Sequence, residues 1–246
     1  MSADRYLISE GDAGPVVVRL MGGFEAEVDG TPTALPLDAQ RLVAFLALEG
    51  RPRSRTFVAG KLWSNGSQER AYGNLRSALW RVNKEARSLL AADAKTVALC
   101  PGVQTDVNEL EKLIARLGQP DVTNLDAEVD HRRFSGELLA GWYDEWTLVE
   151  RERVRQMCLH ALESIAMRLL SVHRFAHALE AALSAVALEP LRESAHRVVI
   201  QVHLSEGNHG EAVRHYEHFS SLLEDELGLR PSPIIERQMS RHLVSV

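Results

Sequence analysis

The sequence predicts a mainly α fold with a small β component, divided into two domains of different make. Three observations predict it. Short apolar runs separated by Gly-Gly and Asp-Gly come before any helical pattern. From Asp144 onward apolar residues recur at helical spacing only. The chain of 246 residues, 45% hydrophobic, is long enough for two modest cores.

Residues 1–14 are polar and glycine-bearing and read as a loose arm. From Val16, VVVRLM, Gly22-Gly23, FEAEV, the turn Asp29-Gly30 and TPTALPL predict a small antiparallel sheet. Asp38 is the expected cap of a first helix whose Leu42, Val43, Phe45, Leu46 and Leu48 are mostly buried and whose stop is Gly50. A short second helix follows, capped by Ser54, with Phe57, Val58, Leu62 and Trp63 facing inward and Arg55 and Lys61 outside. The turn SNGS, with Ser67 as cap, leads into the third helix.

That third helix, Ser67 to Arg87, is about 30 Å long. Ala71, Leu75, Ala78, Leu79 and Val82 form one narrow apolar stripe. The opposite side carries Arg70, Ser77, Trp80, Arg81, Lys84 and Arg87, flanked by Arg76 and Asn83 on one edge and Asn74 on the other. The ordinary reading of such a helix standing alone is a solvated face. Its neighbours favour another. SLLAAD and TVALC, joined by a turn around Asp93 to Lys95, predict a hairpin, so three helices and a hairpin describe a winged helix. Arginine and asparagine on the third helix then match base edges, and lysine meets phosphate. The ring of Trp80 is expected to pack against the hairpin or the second helix.

The second half is predicted to be helix after helix. Asp106 and Glu109 form a D-x-x-E capping box opening a helix to about Leu117. Gln119-Pro120 and the polar residues around Asn124 read as the loop at the domain joint. Helix breaks fall near His173, Pro190, Gly207 and Gly228 to Pro231. Leu170-Ser171 and Ala178-Leu179 recur as Leu204-Ser205 and Ala212-Val213 at an offset of 34 residues, the period of tetratricopeptide helix pairs. The expected product is a TPR-like helical repeat bundle with a protein-binding surface. Trp142 and Trp146, with Tyr143 between them, are expected in core or joint packing, and ERERVR at 150–155 on a solvated helix face.

Charge sharpens the reading. Residues 51–95 hold ten Lys/Arg against three acids, a local +7 in a chain whose net charge is -6. One basic face on an acidic protein fits a module that engages a polyanion, and a general coat for nucleic acid is excluded. Chemistry is scarce. The pairs His173/His177 and His215/His218 lack further ligands for a metal, and GNHG at 207–210 reads as a turn between helices. No enzyme, cofactor or metal is expected. Cys100 and Cys158 form neither a metal spacing nor a disulfide framework, and no signal peptide or membrane span is legible, so the expected location is cytoplasmic, with no membrane partner.

VRLMGGFEAEVDG, LPLDAQRLVAFLAL, GRPRSR, LW and NLRSALWRVNK resemble the N-terminal winged helix of the SARP family of transcriptional activators, itself similar to that of the OmpR/PhoB response regulators. GELLAGWYDEWTLVERERVR, ALEP with LRESAH, and GNHGEAVRHYEHFSSLLEDELGLRPSP resemble the bacterial transcriptional activator domain that follows it. The resemblance implies a DNA-binding domain over 15–106 and an activator domain over 107–246. It implies a sequence-specific activator, of a secondary-metabolite gene cluster such as one for an antibiotic. Its partners would be double-stranded promoter DNA, bound as a dimer on direct repeats, and RNA polymerase through its sigma factor and core subunits. Base readout is expected from Arg70, Asn74, Ser77 and Arg81. Phosphate contacts are expected from Arg51, Arg53, Arg55, Arg76, Lys84, Arg87, Lys95 and Thr96. The alternative is a TPR-like interaction or ligand-sensing module whose winged helix serves docking.

Overall fold

The computed structural model describes residues 15–117 and 136–243; the N-terminal arm and the loop expected around Gln119 to Asn124 lie outside the described residues. Two compact units divide between Asn108 and Glu109. Among the described residues the first unit opens with β1 (Val16–Arg19), β2 (Glu25–Val28) and β3 (Thr31–Pro32), then α1 (Leu37–Glu49). It continues with β4 (Arg53–Ser54), α2 (Arg55–Leu62), α3 (Gln68–Glu85), β5 (Leu90–Ala92), β6 (Thr96–Leu99) and β7 (Gln104–Thr105). The helix α4 (Asp106–Leu117) begins at its end.

The first sheet is ordered β3-β2-β1-β7. Its antiparallel part follows the sequence pattern: Val28 pairs with Thr31 across Asp29-Gly30, both at positive φ, as a two-residue hairpin turn demands. The parallel addition of β7 to β1 was not legible, because two residues carry no periodicity. The second sheet, β4-β6-β5, is the wing, with Leu90 opposite Leu99 and Ala92 opposite Val97. Three helices between these sheets make a winged helix.

Gly50 ends α1 in the left-handed conformation, and the Ser54 hydroxyl accepts from the Phe57 N–H to cap α2. Three expectations need correction. Asp38 does not cap α1: the residue before the helix is Pro36, and the Asp38 carboxylate pairs with Arg81 instead. Phe57 is 44% exposed, because α2 buries Val58, Ala59 and Leu62 while the Arg53 guanidinium covers the Phe57 ring at 5.0 Å. The Asp106/Glu109 capping box does not form. The Thr105 hydroxyl caps α4 by accepting from the Asn108 N–H at 3.1 Å, and Glu109 pairs with Lys112. Asp106 reaches back 85 residues, accepting the N–H groups of Leu20 at 2.7 Å and Met21 at 2.8 Å. Burial pushes this carboxyl above its ordinary range, against the pull of those backbone donors.

The second unit is helical among its described residues: α5 (Glu145–Ser171), α6 (Phe175–Leu188), α7 (Glu193–Glu206), α8 (His209–Leu227) and α9 (Pro233–Leu243). The 34-residue offset is present in the backbone. Phe175 starts α6 and His209 starts α8; the preceding residues, Arg174 and Asn208, share φ/ψ of -89/64° and -84/59°. His173 and Gly207, again 34 apart, both turn left-handed, and Ala178 and Ala212 are both fully buried. Small buried residues at matching positions let each helix pair close tightly. Leu159, Leu162, Ala185 and Ala195 form one core cluster, and Ile200, Leu204, Phe219, Leu223, Ile235 and Met239 belong to another.

ERERVR is not a solvated face. Arg151 donates to the carbonyls of Leu138, Leu139 and Trp142, Arg153 bridges Glu150 and Glu111, Arg155 pairs with Glu152 and Glu189, and Val154 is buried. Trp142 and Trp146 meet edge-on at 6.4 Å with Trp146 buried, whereas Tyr143 is exposed.

Within the helical unit His196 is buried and stacked on Phe219 at 3.9 Å. Its Nε2 lies 2.8 Å from the Pro190 carbonyl and its Nδ1 lies 3.0 Å from His215 Nε2. A carbonyl only accepts, so neutral His196 carries its proton on Nε2 and its bare Nδ1 accepts from His215. Burial, with the neighbouring His196, His203 and His218, lowers the His215 pKa to about 4, and burial also lowers that of His196.

Asp106→Ala strands the part-buried N–H groups of Leu20 and Met21 and should cost the first unit about 2 kcal/mol in chemical denaturation. Because both imidazoles titrate lower folded than unfolded, the helical unit should hold full stability above about pH 6.5 and lose it as the pH falls toward 4. The denaturation midpoint at pH 5 should therefore lie below that at pH 7; equal midpoints would count against the buried pair.

Candidate nucleic-acid interface

The rotation of α3 about its axis is set by Ala71, Leu75, Ala78, Leu79 and Val82, all buried, as the periodicity predicts. Ser67 caps the helix through the Arg70 N–H. Apart from the half-buried Tyr72 and Gly73, the rest of its surface faces solvent. Arg70, Asn74, Arg76, Ser77, Trp80, Arg81, Asn83, Lys84 and Arg87 are all exposed there or just beyond its end.

Their side chains are not equally available. Arg70, Asn74, Arg76 and Arg87 make no ion pair or side-chain hydrogen bond among the described residues, and the same holds for Arg51 and Lys95. Ser77 donates its hydroxyl to the Gly73 carbonyl at 3.1 Å, which leaves it acceptor capacity only. Arg81 is held by Asp38, whose hydrogen bond and charge raise its pKa further. Any base contact from Arg81 competes with that pair. Lys84 lies 3.5 Å from Glu85 and stands over the Trp80 ring at 5.8 Å.

Around α3 the picture is again mixed. Arg53 is tied to Glu49, and Arg55 donates to the Asp93 carbonyl at 2.8 Å. The Arg55 guanidinium braces the wing turn and that of Arg53 ties β4 to the end of α1, so neither stands free. Asp93 organises the wing turn by accepting from the Thr96 and Lys95 N–H groups at 2.7 Å and from the Thr96 hydroxyl at 3.1 Å. Those donors, the Thr96 backbone first, hold the Asp93 carboxyl below its usual range. The Thr96 hydroxyl proton is thus already placed, while Lys95 projects from the turn.

Two features escaped the periodicity. Trp80 does not pack against the wing or α2: it is 64% exposed, since the buried stripe lies on the far side of the helix. Gly73 sits mid-helix on the exposed side, and a Cβ built there meets nothing within 4 Å. Tyr72 hydrogen-bonds Thr56, joining α3 to α2 on the flank of this face.

Among the described residues no group of three His, Cys, Asp or Glu is placed to hold a metal, and no helix is long and apolar enough to cross a membrane. His215 is engaged by His196, and His177 lies 3.5 Å from the Arg174 guanidinium.

Comparison with known proteins places these features in context. Residues 105–241 match the bacterial transcriptional activator domain. The chain is similar to the regulatory protein AfsR of Streptomyces coelicolor, 24% identical over 95% of this chain and 25% of that protein. It thus spans a quarter of that relative's length. Among solved structures it is similar to Mycobacterium tuberculosis EmbR in complex with a low-affinity phosphopeptide, with a TM-score of 0.71 at 17% identity. That match covers 95% of this chain and 66% of the other, a likeness of fold.

Since the space beside Gly73 is open, Gly73→Ala should raise stability by up to about 1 kcal/mol through helix propensity alone. A lowered thermal midpoint would show that the backbone there needs glycine.

Proposed function

Because the chain belongs to the SARP-type regulators that carry the bacterial transcriptional activator domain, we propose that it is a sequence-specific DNA-binding activator of transcription. Transcription regulation is the family's role; DNA readout by α3 is the finer step. One observation carries it: Arg70, Asn74 and Arg76 are exposed on one side of a helix whose other side is fully buried, with no partner among the described residues. Unpaired guanidiniums beside an amide cost nothing in internal bonds to redirect toward base edges and phosphates.

In this reading α3 lies in a major groove. Arg70 and Asn74 face base edges, with Ser77 as an acceptor and Arg81 joining when it leaves Asp38. Arg76, Lys84, Arg87, Arg51 and Lys95 hold phosphates, while Arg53, Arg55 and Thr96 shape the wing and reach the backbone only at its rim. The helical unit supplies the protein-binding surface for RNA polymerase, its sigma factor and core subunits. Two copies occupy direct repeats on promoter DNA of a secondary-metabolite gene cluster. The alternative of a docking-only winged helix has no use for the +7 of residues 51–95.

The test is a binding selection from sheared genomic DNA with the full chain, followed by titration of the best fragment at several salt concentrations. Enrichment of a repeated motif, with affinity falling steeply in salt, is expected. Absence of enrichment at every salt would sink the reading. Arg70→Ala should cost about 1–3 kcal/mol on that fragment and relax preference at one position, whereas Arg76→Ala should weaken specific and non-specific DNA about equally and reduce the salt slope by about 1.

A further inference from the structure

Trp80 has no structural task that its burial reveals. It is the one large apolar side chain exposed on α3, at 64%, and the ring contact it makes on its own helix is with the Lys84 ammonium. An indole left in water carries an unmet apolar surface, so a partner that covers it is favoured. Its surroundings decide which partner. Within about one turn on either side stand Arg76, Ser77, Arg81, Asn83 and Lys84, all exposed and polar. Protein-docking anchors sit inside an apolar, charge-depleted patch, and this ring sits inside a cationic one.

Resting on the reading of α3 as the groove helix, we infer that Trp80 is a specificity-determining residue that recognises a thymine through its 5-methyl group. Bases in duplex DNA present edges in the major groove, so stacking on them is not available to the ring. The thymine methyl is the one apolar group those edges carry, beside the O4 acceptor. Trp80 matches both: its ring body covers the methyl, and its Nε1–H, a donor only, meets O4. The shape of α3 agrees. Gly73, seven residues earlier on the same side, presents no side chain and fits a close approach, and about 10 Å further along the helix the long indole spans the wider gap to the base edges.

The experiment uses the full chain and the tightest site from the genomic selection, with each thymine replaced in turn by deoxyuridine, which differs only by the methyl. The wild type should lose about fourfold at one position, the worth of one buried methyl. Trp80→Ala should bind thymine and deoxyuridine alike at that position and keep the wild-type denaturation midpoint and salt slope. Sequence-specific binding in which no deoxyuridine substitution separates Trp80→Ala from wild type overturns the inference and leaves the DNA reading standing. So does a Trp80→Ala protein with unaltered DNA binding that no longer activates transcription in a reconstituted assay, since the ring would then serve a protein partner. Failure of the wild type to bind any site selectively overturns the groove reading itself, and this inference with it.

Discussion

The burial of one stripe, Ala71, Leu75, Ala78, Leu79 and Val82, is the constraint on which the first unit depends. Five apolar side chains at spacings of three and four leave α3 one orientation about its axis. The two alanines matter as much as the leucines, because small side chains let a helix lie close to its neighbours α1 and α2. Once that rotation is fixed, every remaining residue of α3 is committed to solvent or to a partner.

Cations on that surface fall into two classes. Arg53, Arg55 and Arg81 hold the fold together, bonding Glu49, the Asp93 carbonyl and Asp38. Arg51, Arg70, Arg76, Arg87 and Lys95 have no such partner among the described residues. The first class sets the shape that presents the second. Arg55 and Asp93 fix the wing turn from both sides, and Asp106 ties the start of α4 to the end of β1. A local excess of positive charge is therefore smaller in free guanidiniums than the sequence count suggests, and better placed.

In the helical unit the same turn is built twice by different residues. Gly207 takes the left-handed conformation without steric cost, whereas His173 adopts it as a non-glycine residue at φ 58°. The repeat thus conserves geometry and core positions such as Ala178 and Ala212 rather than side-chain identity at the turn. His196, stacked on Phe219 and hydrogen-bonded to His215, makes the interior of the second pair more polar.

Periodicity and turn chemistry by themselves determined the order of helices, the stripe of α3, the stops at Gly50, Gly207 and Gly228, the Ser54 and Ser67 caps and the 34-residue repeat, because each is a local property of a few consecutive residues. The basic face was legible for the same reason. Only the tertiary structure decided which of its members are free. Asp38 and Arg81 are 43 residues apart, Arg55 and Asp93 are 38, and Leu20 and Asp106 are 86. No pattern along the chain announces such pairs. The exposure of Trp80 is illegible on the same ground: a ring's burial depends on what other elements bring to it, and here they bring nothing to that side of α3.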